Sequence, residues 1–389
     1  MIEKALKGSS KYWAWMAFLA MLVGIGAISY YHQFYYGLGY TGMSRDVSWG
    51  LYISQFTFMV GVAAGGVMLV LPYYIHDYKA FSRITILGEF LAIAAVSMCL
   101  MFIIVDLGQP MRLLNVLLHP TPHSMLFWDM IVLNGYLFLN LLVGWTLVHA
   151  QYKSPHRPVP PPKWIKPFIY ISIPWAVSIH TVTAFLYAGL PGRDFWLTAI
   201  MAPRFLASAF AAGPALIVIM ALIIKRVSKF DAGQEAIQKM VTIIGYATLV
   251  NFFFIGMEFF TAFYSNIPGH KATLDYLFWG LEGAHSLVPW MRASMLLGAI
   301  GVIMLLTPKT RYNEKTLGLA CALIFLSLWI DKGLGLVLGG FVPSPTEYIT
   351  QYYPTMGELA ITIGVWAAGF MIVTVLYKMA IRVRLDFEN

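Results

Sequence analysis

Ten apolar runs, each near or above the roughly 20 residues that carry a helix across a hydrocarbon core about 30 Å thick, follow one another along this chain of 389 residues. They lie near Tyr12 to Tyr35, Gly50 to Tyr74, Ile84 to Leu107, Met125 to His149, Phe168 to Leu190, Phe205 to Ile224, Val241 to Phe263, Leu287 to Thr307, Leu317 to Phe341 and Leu359 to Ala380. Composition agrees: 59% of residues are hydrophobic, 11% are charged, and the mean hydropathy is +0.71. A water-soluble protein of this length cannot hide so much apolar surface. The expected fold class is an all-α polytopic membrane protein with ten transmembrane helices in the lipid bilayer.

The first run follows Lys4, Lys7 and Lys11, exceeds a signal-peptide core in length, and ends in SYYHQFYYG without a small-residue cleavage site, so it reads as a retained anchor. Of the 26 Lys and Arg, 19 fall at the two termini and in alternate connections. The opposite connections hold Arg45, Arg112, Arg193, Arg204, Lys271, Arg292 and Lys332. By the positive-inside rule both termini face the cytoplasm, as expected of a multi-pass protein of the cytoplasmic (inner) membrane. The net charge of +8 is then a topology signal and not a mark of nucleic acid. Cys99 and Cys321 both lie inside apolar runs with no Cys-x-x-Cys spacing, too few thiolates for an iron–sulfur cluster in this chain. They read as buried structural thiols.

The clearest basic connection, KSPHRPVPPPKWIK from Lys153 to Lys166, is a stiff, extended link. On the other side, Pro110 to His119 and Lys271 to Pro289 look like amphipathic pieces lying in the interface. An internal duplication is visible: Ala63-Ala64-Gly65 matches Ala211-Ala212-Gly213, Phe127-Trp128 matches Phe278-Trp279, and Ile179-His180 matches Ile330-Asp331, with Asp106 opposite Glu258. Units of four runs keep the same orientation, so the copies would be parallel repeats. The expected organisation is an anchor and loop over 1–49, a first four-helix bundle over 50–190, a second over 191–341, and a last span with its tail over 342–389. The first and last spans stand outside the bundles. Gly61, Gly65 and Gly66 in the second run read as helix packing.

An ionised side chain in hydrocarbon costs a few kcal/mol, so each needs a reason. Asp106, Asp129 and Glu258 lie toward the extracytoplasmic ends of their runs, Glu89 lies in the cytoplasmic third of its run, and His180 and Asp331 lie near mid-depth. One reading pairs each with a neighbour, Asp106 with Arg112 and Asp331 with Lys332. The other is proton handling beside a quinone, which takes up two electrons with two protons and needs titratable groups near its carbonyl oxygens. Asp106, His119, His123 and Asp129 border one mouth of the first bundle and are the candidate catalytic groups, with Trp128, Tyr136 and Arg112 as candidate quinone-binding residues. Glu89, Asn134, Asn140 and His180, with Glu258 and Asp331 in the second bundle, are candidates for a proton path; interhelical hydrogen bonding is the competing reading. Haem needs two axial histidines on facing helices at matched depth, and only His180 is clearly mid-span, so none is expected.

The runs DLGQPMRLLNVLLHPTPHSMLFWDM (106–130), FMVGVAAGG (58–66) and HTVTAFLYAGLPGRDFW (180–196), with the following PRFLASAFAAGPAL, resemble the NrfD family, the integral-membrane subunits of polysulfide reductase-like complexes. The ten-span length and NFFFIGMEFF from Asn251 to Phe260 are most similar to its DsrP branch, with HmcC- and QrcD-type subunits as near relatives. The resemblance implies an oxidoreductase subunit with no metal of its own that exchanges electrons between menaquinone, as exchangeable substrate, and a ferredoxin-like iron–sulfur subunit on the extracytoplasmic face. It also implies other membrane and cytochrome subunits in the complex and a quinone site in the first bundle, favouring Asp106, His119, His123, Trp128 and Asp129. The residues alone also suit a secondary transporter, or a proton-conducting anchor subunit without quinone chemistry.

Overall fold

The computed structural model describes residue 3 and residues 7–154, 159–228 and 230–388, with side chains to residue 383. Part of the proline-rich link, and Lys4, Arg157 and Lys229 of the basic connections, lie outside the described residues. Among the described residues ten helices are long and apolar enough to cross a membrane: α1 (Ser10–Tyr36), α2 (Leu51–Ile75), α3 (Thr85–Asp106), α4 (Met125–Lys153), α5 (Lys166–Ala188), α6 (Met201–Val227), α7 (Gln234–Tyr264), α8 (Val288–Leu306), α9 (Glu314–Gly339) and α10 (Met356–Glu388). Among the described residues there is no β-strand, only an isolated bridge between Leu281 and Ala284. The protein is an all-helical, multi-pass membrane protein. Ten crossings bring both chain ends to one face, the terminal face; the 107–124 turn lies on the other, the turn face.

Helices α2 to α5 pack on one another, as do α6 to α9, and the two groups meet through α2 and α6. Dispersion drives this packing where lipid removes the hydrophobic effect, so the closest approach falls on the smallest residues. A Cβ on Gly65 would stand 2.4 Å from the Gly213 Cα, and a Cβ on Gly213 would stand 2.4 Å from the Gly65 Cα. That mutual contact is consistent with the repeat read from the sequence, because equivalent residues face each other only beside an axis relating the halves. Other contacts fall at the same spacing: Arg83 Nη1 donates to the Asp231 carbonyl and Arg193 Nη1 to the Phe341 carbonyl, both across 148 residues. Helix α1 stands outside the bundles and packs on α10, which in turn packs on α3.

Several boundaries differ from those expected. Helix α6 begins at Met201 and α7 at Gln234, each ahead of its apolar run, because an amphipathic first turn continues the helix into polar sequence. Arg204, counted with the connections, therefore lies within α6, and Arg292 and Lys332, counted with them too, lie within α8 and α9. The segment after Lys271 belongs to a helix, Pro268–Phe278, that buries Thr273, Leu274, Tyr276 and Leu277 against the protein. By contrast Pro110–Arg112 and Asn115–Leu118 are short exposed turns carrying Met111, Leu114, Leu117 and Leu118 outward.

At the terminal face Lys225 bridges Asp231 at 2.9 Å and Glu314 at 2.8 Å. The hydrogen bonds from Lys225 and from the Gly233 amide hold the Asp231 carboxyl below its ordinary value. A depressed folded value contributes stability above the unfolded value of about 3.9 and loses it as acid titrates the group. Asp231→Asn should thus lower the thermal midpoint at pH 7, by a small amount because the side chain is 48% exposed. The difference from the native chain should shrink as the pH falls from the unfolded value through the depressed folded one; a difference that stays the same size from neutral to acid pH would break this account.

Candidate functional site

Asp106 closes α3 at the turn face; α3 packs on α2, α4 and α10. The Asp106 Oδ1 is buried without a hydrogen-bond partner. Arg112, the neighbour expected to pair with it, is exposed on the turn, and among the described residues Asp106 makes no ion pair. Around it the helices supply a fixed polar shell. Tyr52 of α2 donates to Gln33 Oε1 at 2.6 Å, and Gln33 Nε2 donates to the Val105 carbonyl at 2.5 Å. Glu358, in the first turn of α10, accepts from the Gly42 amide at 2.7 Å, the Thr355 amide at 2.9 Å and the Tyr352 hydroxyl at 2.6 Å. Burial, and then the Glu358 charge, push the Tyr352 phenol above its ordinary value, so it remains a donor. Glu358 lies within electrostatic reach of Asp106.

Asp129 sits one helical turn into α4, buried. The Thr183 hydroxyl of α5 lies 2.7 Å from Asp129 Oδ1 and 2.7 Å from the Ile179 carbonyl. One hydroxyl carries one proton. An ionised Asp129 takes that proton in a hydrogen bond; a protonated Asp129 donates to Thr183, which then donates to Ile179. The arrangement therefore accommodates both protonation states without moving a heavy atom. On the same face of α5, four residues further on, the Tyr187 hydroxyl makes a short hydrogen bond with Thr57 of α2. Asp106 and Asp129 both lie within electrostatic reach of Tyr187. Its ring packs against Trp49 at 5.4 Å and Trp196 at 5.0 Å, centroid to centroid, and Trp196 is tied to the Leu336 carbonyl at 2.8 Å.

The other expected site residues are distributed unevenly. His119 and His123 are exposed on the turn. Trp128 is 41% exposed, and its indole donates to the Pro122 carbonyl at 2.8 Å, pinning the turn. None of these three folds down over the two carboxyls. Tyr136 and Asn140 face Glu89 across a cavity of about 10 Å³, also bordered by Gly66 and Ser172. That is room for a single water. Glu89 Oε2 has no other partner there. Asn134 is exposed on the opposite side of α4, bonded to its own helix at Met130, so it is off this file. His180 is fully buried without a side-chain hydrogen-bond partner among the described residues, at the seam between the bundles and within electrostatic reach of Lys332.

In the second bundle Glu258 and Asp331 are joined by Arg204, a residue that the distribution of charge alone assigns to a connection. Arg204 Nη1 donates to Glu258 Oε2, and Nη2 donates to Asp331 Oδ1 at 2.9 Å. All three side chains are buried. Asp331 pairs with Arg204 and not with its neighbour Lys332. Thr57, Thr183, Tyr187, Gln33, Tyr52 and Glu358 were not singled out either. One signal was available: His180, Thr183 and Tyr187 fall three and four residues apart, a single buried stripe of α5.

The family model for polysulphide reductase, NrfD, matches residues 39–332. The menaquinone reductase integral membrane subunit of Nitratidesulfovibrio vulgaris is 24% identical, covering 94% of this chain and 88% of its own length. The Hdr-like menaquinol oxidoreductase integral membrane subunit of Archaeoglobus fulgidus is 23% identical, over 90% of this chain and 84% of that protein. A subunit of the selenate reductase of Mesobacillus selenatarsenatis is 24% identical, over 76% of this chain and 73% of its own. With most of its spanning helices inside the match, the chain belongs to the NrfD family.

Proposed function

We propose that this chain is the quinone-reactive membrane subunit of a respiratory oxidoreductase complex, exchanging electrons between menaquinone or menaquinol and an iron–sulfur subunit docked on the turn face. The observation that carries this reading is the unpartnered, buried Asp106 Oδ1 together with a second carboxyl, Asp129, whose hydrogen-bond chain accepts either protonation state, both within electrostatic reach of Tyr187. Two carboxyls so placed fit a ligand whose carbonyl oxygens lose and gain protons as it is oxidised and reduced. The Trp49, Tyr187 and Trp196 rings offer it an aromatic wall. Two relatives are named for menaquinone or menaquinol, which supports that substrate. With only two cysteines in the chain, electrons reach or leave the site through a partner. The exposed apolar segment from Met111 to Leu118 supplies a surface for it.

In this reading the turn face is extracytoplasmic and both chain ends are cytoplasmic, as the distribution of Lys and Arg favours. Protons reach the first bundle from the terminal face. Tyr74, within electrostatic reach of Glu89, lines a cavity of about 110 Å³ there with Tyr73, Thr85 and Gln151, and the one-water cavity lies beyond. The DsrP-like stretch at Asn251 favours a complex linked to sulfite or sulfate respiration, with cytochrome subunits among its partners.

The test is quenching of tryptophan fluorescence by a menaquinone analogue in the purified complex. The native chain should quench saturably, and Asp106→Asn and Asp129→Asn should each weaken the apparent affinity about tenfold, as expected when a buried hydrogen-bonding partner is lost. Absence of saturable quenching in the native complex would return the chain to a transport or anchoring role.

A further inference from the structure

Helix α9 leaves α-helical winding for a π turn over Trp329–Gly335, and that turn carries Asp331 and Lys332 side by side, both buried. Such turns displace a helix's register and recur at functional positions. Here the turn sends the two neighbours different ways. Asp331 points into the second bundle, to Arg204 at 2.9 Å. Lys332 reaches the seam instead. Its Nζ lies 4.1 Å from the centroid of the Phe205 ring, 3.4 Å from the Phe205 carbonyl oxygen, and 3.2 Å from where a Cβ on Gly61 of α2 would stand.

The ammonium has no carboxylate partner among the described residues. A ring face and one long carbonyl contact compensate a buried charge poorly. With Glu258, Asp331 and Arg204 ionised the cluster sums to one negative charge, so Lys332 neutralises it while standing apart from it. On the far side, in the first bundle, lie His180 of α5 and Cys99 of α3, both within electrostatic reach of Lys332. His180 has no side-chain hydrogen-bond partner among the described residues. Between Arg204 and Lys332 a cavity of about 10 Å³ is bordered by Asn251 and Asp331, whose Oδ1 and Oδ2 respectively accept from nothing. One water there would donate to both.

We infer that Lys332 is a positioning residue that couples the bundles: its ammonium is the charge through which the ion-pair cluster of the second bundle and His180 of the first act on one another. The coupling rests on the quinone-reactive reading above. It gives the second bundle a part in turnover although no carboxyl of that bundle reaches the Asp106 mouth.

A double-mutant cycle tests it, read as quinol turnover of the assembled complex. Lys332→Met should lower kcat about tenfold with KM unchanged, within the range for residues of one network, and Lys332→Arg should restore most of the loss. His180→Gln should lower kcat as well, and adding it to Lys332→Met should cost little more than the larger single effect. A double effect equal to the product of the single ones, or an unchanged kcat in Lys332→Met, overturns the coupling. If Lys332→Met does not assemble, Gly61→Ala decides: it keeps every charge and presses on the ammonium, so it should lower kcat at unchanged KM, and a native kcat overturns the inference. Saturable quinone quenching measured in the same preparations separates the two readings. Quenching with product-like effects sinks the coupling alone, and no quenching in the native complex sinks both.

Discussion

Replacing Arg204 with methionine is expected to destabilise the purified protein by about 3–5 kcal/mol, the cost of leaving buried charges without their partner. The guanidinium gives one nitrogen to Glu258 and the other to Asp331 at 2.9 Å, so its loss strands two carboxylates at once. Lys332 makes no ion pair with either carboxylate among the described residues, its ammonium resting against the Phe205 ring. Arg204→Lys should fall between native and methionine, since an ammonium is a point charge without the planar fork that serves two carboxylates. The informative control is Arg204→Met combined with Glu258→Gln and Asp331→Asn. Removing the whole network strands neither carboxylate and leaves only the Lys332 ammonium without its counter-charge, so this triple variant should recover part of the lost stability. Thermal midpoints of the four proteins in one detergent would decide, and a triple variant no better than the single would show that Arg204 acts by packing alone.

The second large effect is steric. Valine at Gly65 or at Gly213 should cost about 3 kcal/mol or more and reduce assembled yield, the upper end of what overpacking does. An added Cβ at either position meets backbone at 2.4 Å, and backbone cannot turn aside as the tip of a side chain can. Both variants press on the same contact, so combining them should cost less than the sum of the two. Gly24 of α1 provides the comparison: a Cβ there meets nothing within 4 Å, and Gly24→Ala should be neutral or slightly stabilising. Equal losses at Gly24 and Gly65 would remove the case for the bundles being held at this crossing.

Much of the candidate site was visible before folding, because a carboxyl inside an apolar run is conspicuous whatever surrounds it. Asp106, Asp129, Glu89, Glu258 and Asp331 stand out in that way, and His180 opens a stripe that Thr183 and Tyr187 complete. The two histidines of the turn stand out equally, yet they are exposed, since proximity in sequence to Asp106 and Asp129 does not turn a surface loop inward. Asn134 and Asn140 illustrate the same limit on one helix. Six residues apart, they fall on different faces of α4: Asn140 is buried beside Glu89, and Asn134 is exposed.

What the sequence by itself determined is the number of crossings, the class of fold, the alternation of connections between two faces and the family. These follow from local sums: each run must be apolar over its own length because lipid offers nothing else to satisfy its backbone. Only the tertiary structure decided which charges meet. Arg204 joins Glu258 across 54 residues and Asp331 across 127, and Gly65 meets Gly213 at the seam. Such pairings depend on the depth and rotation of separate helices, and a single π turn is enough to send Asp331 to Arg204 and its neighbour Lys332 to the seam beside Gly61. Local hydropathy carries no record of either.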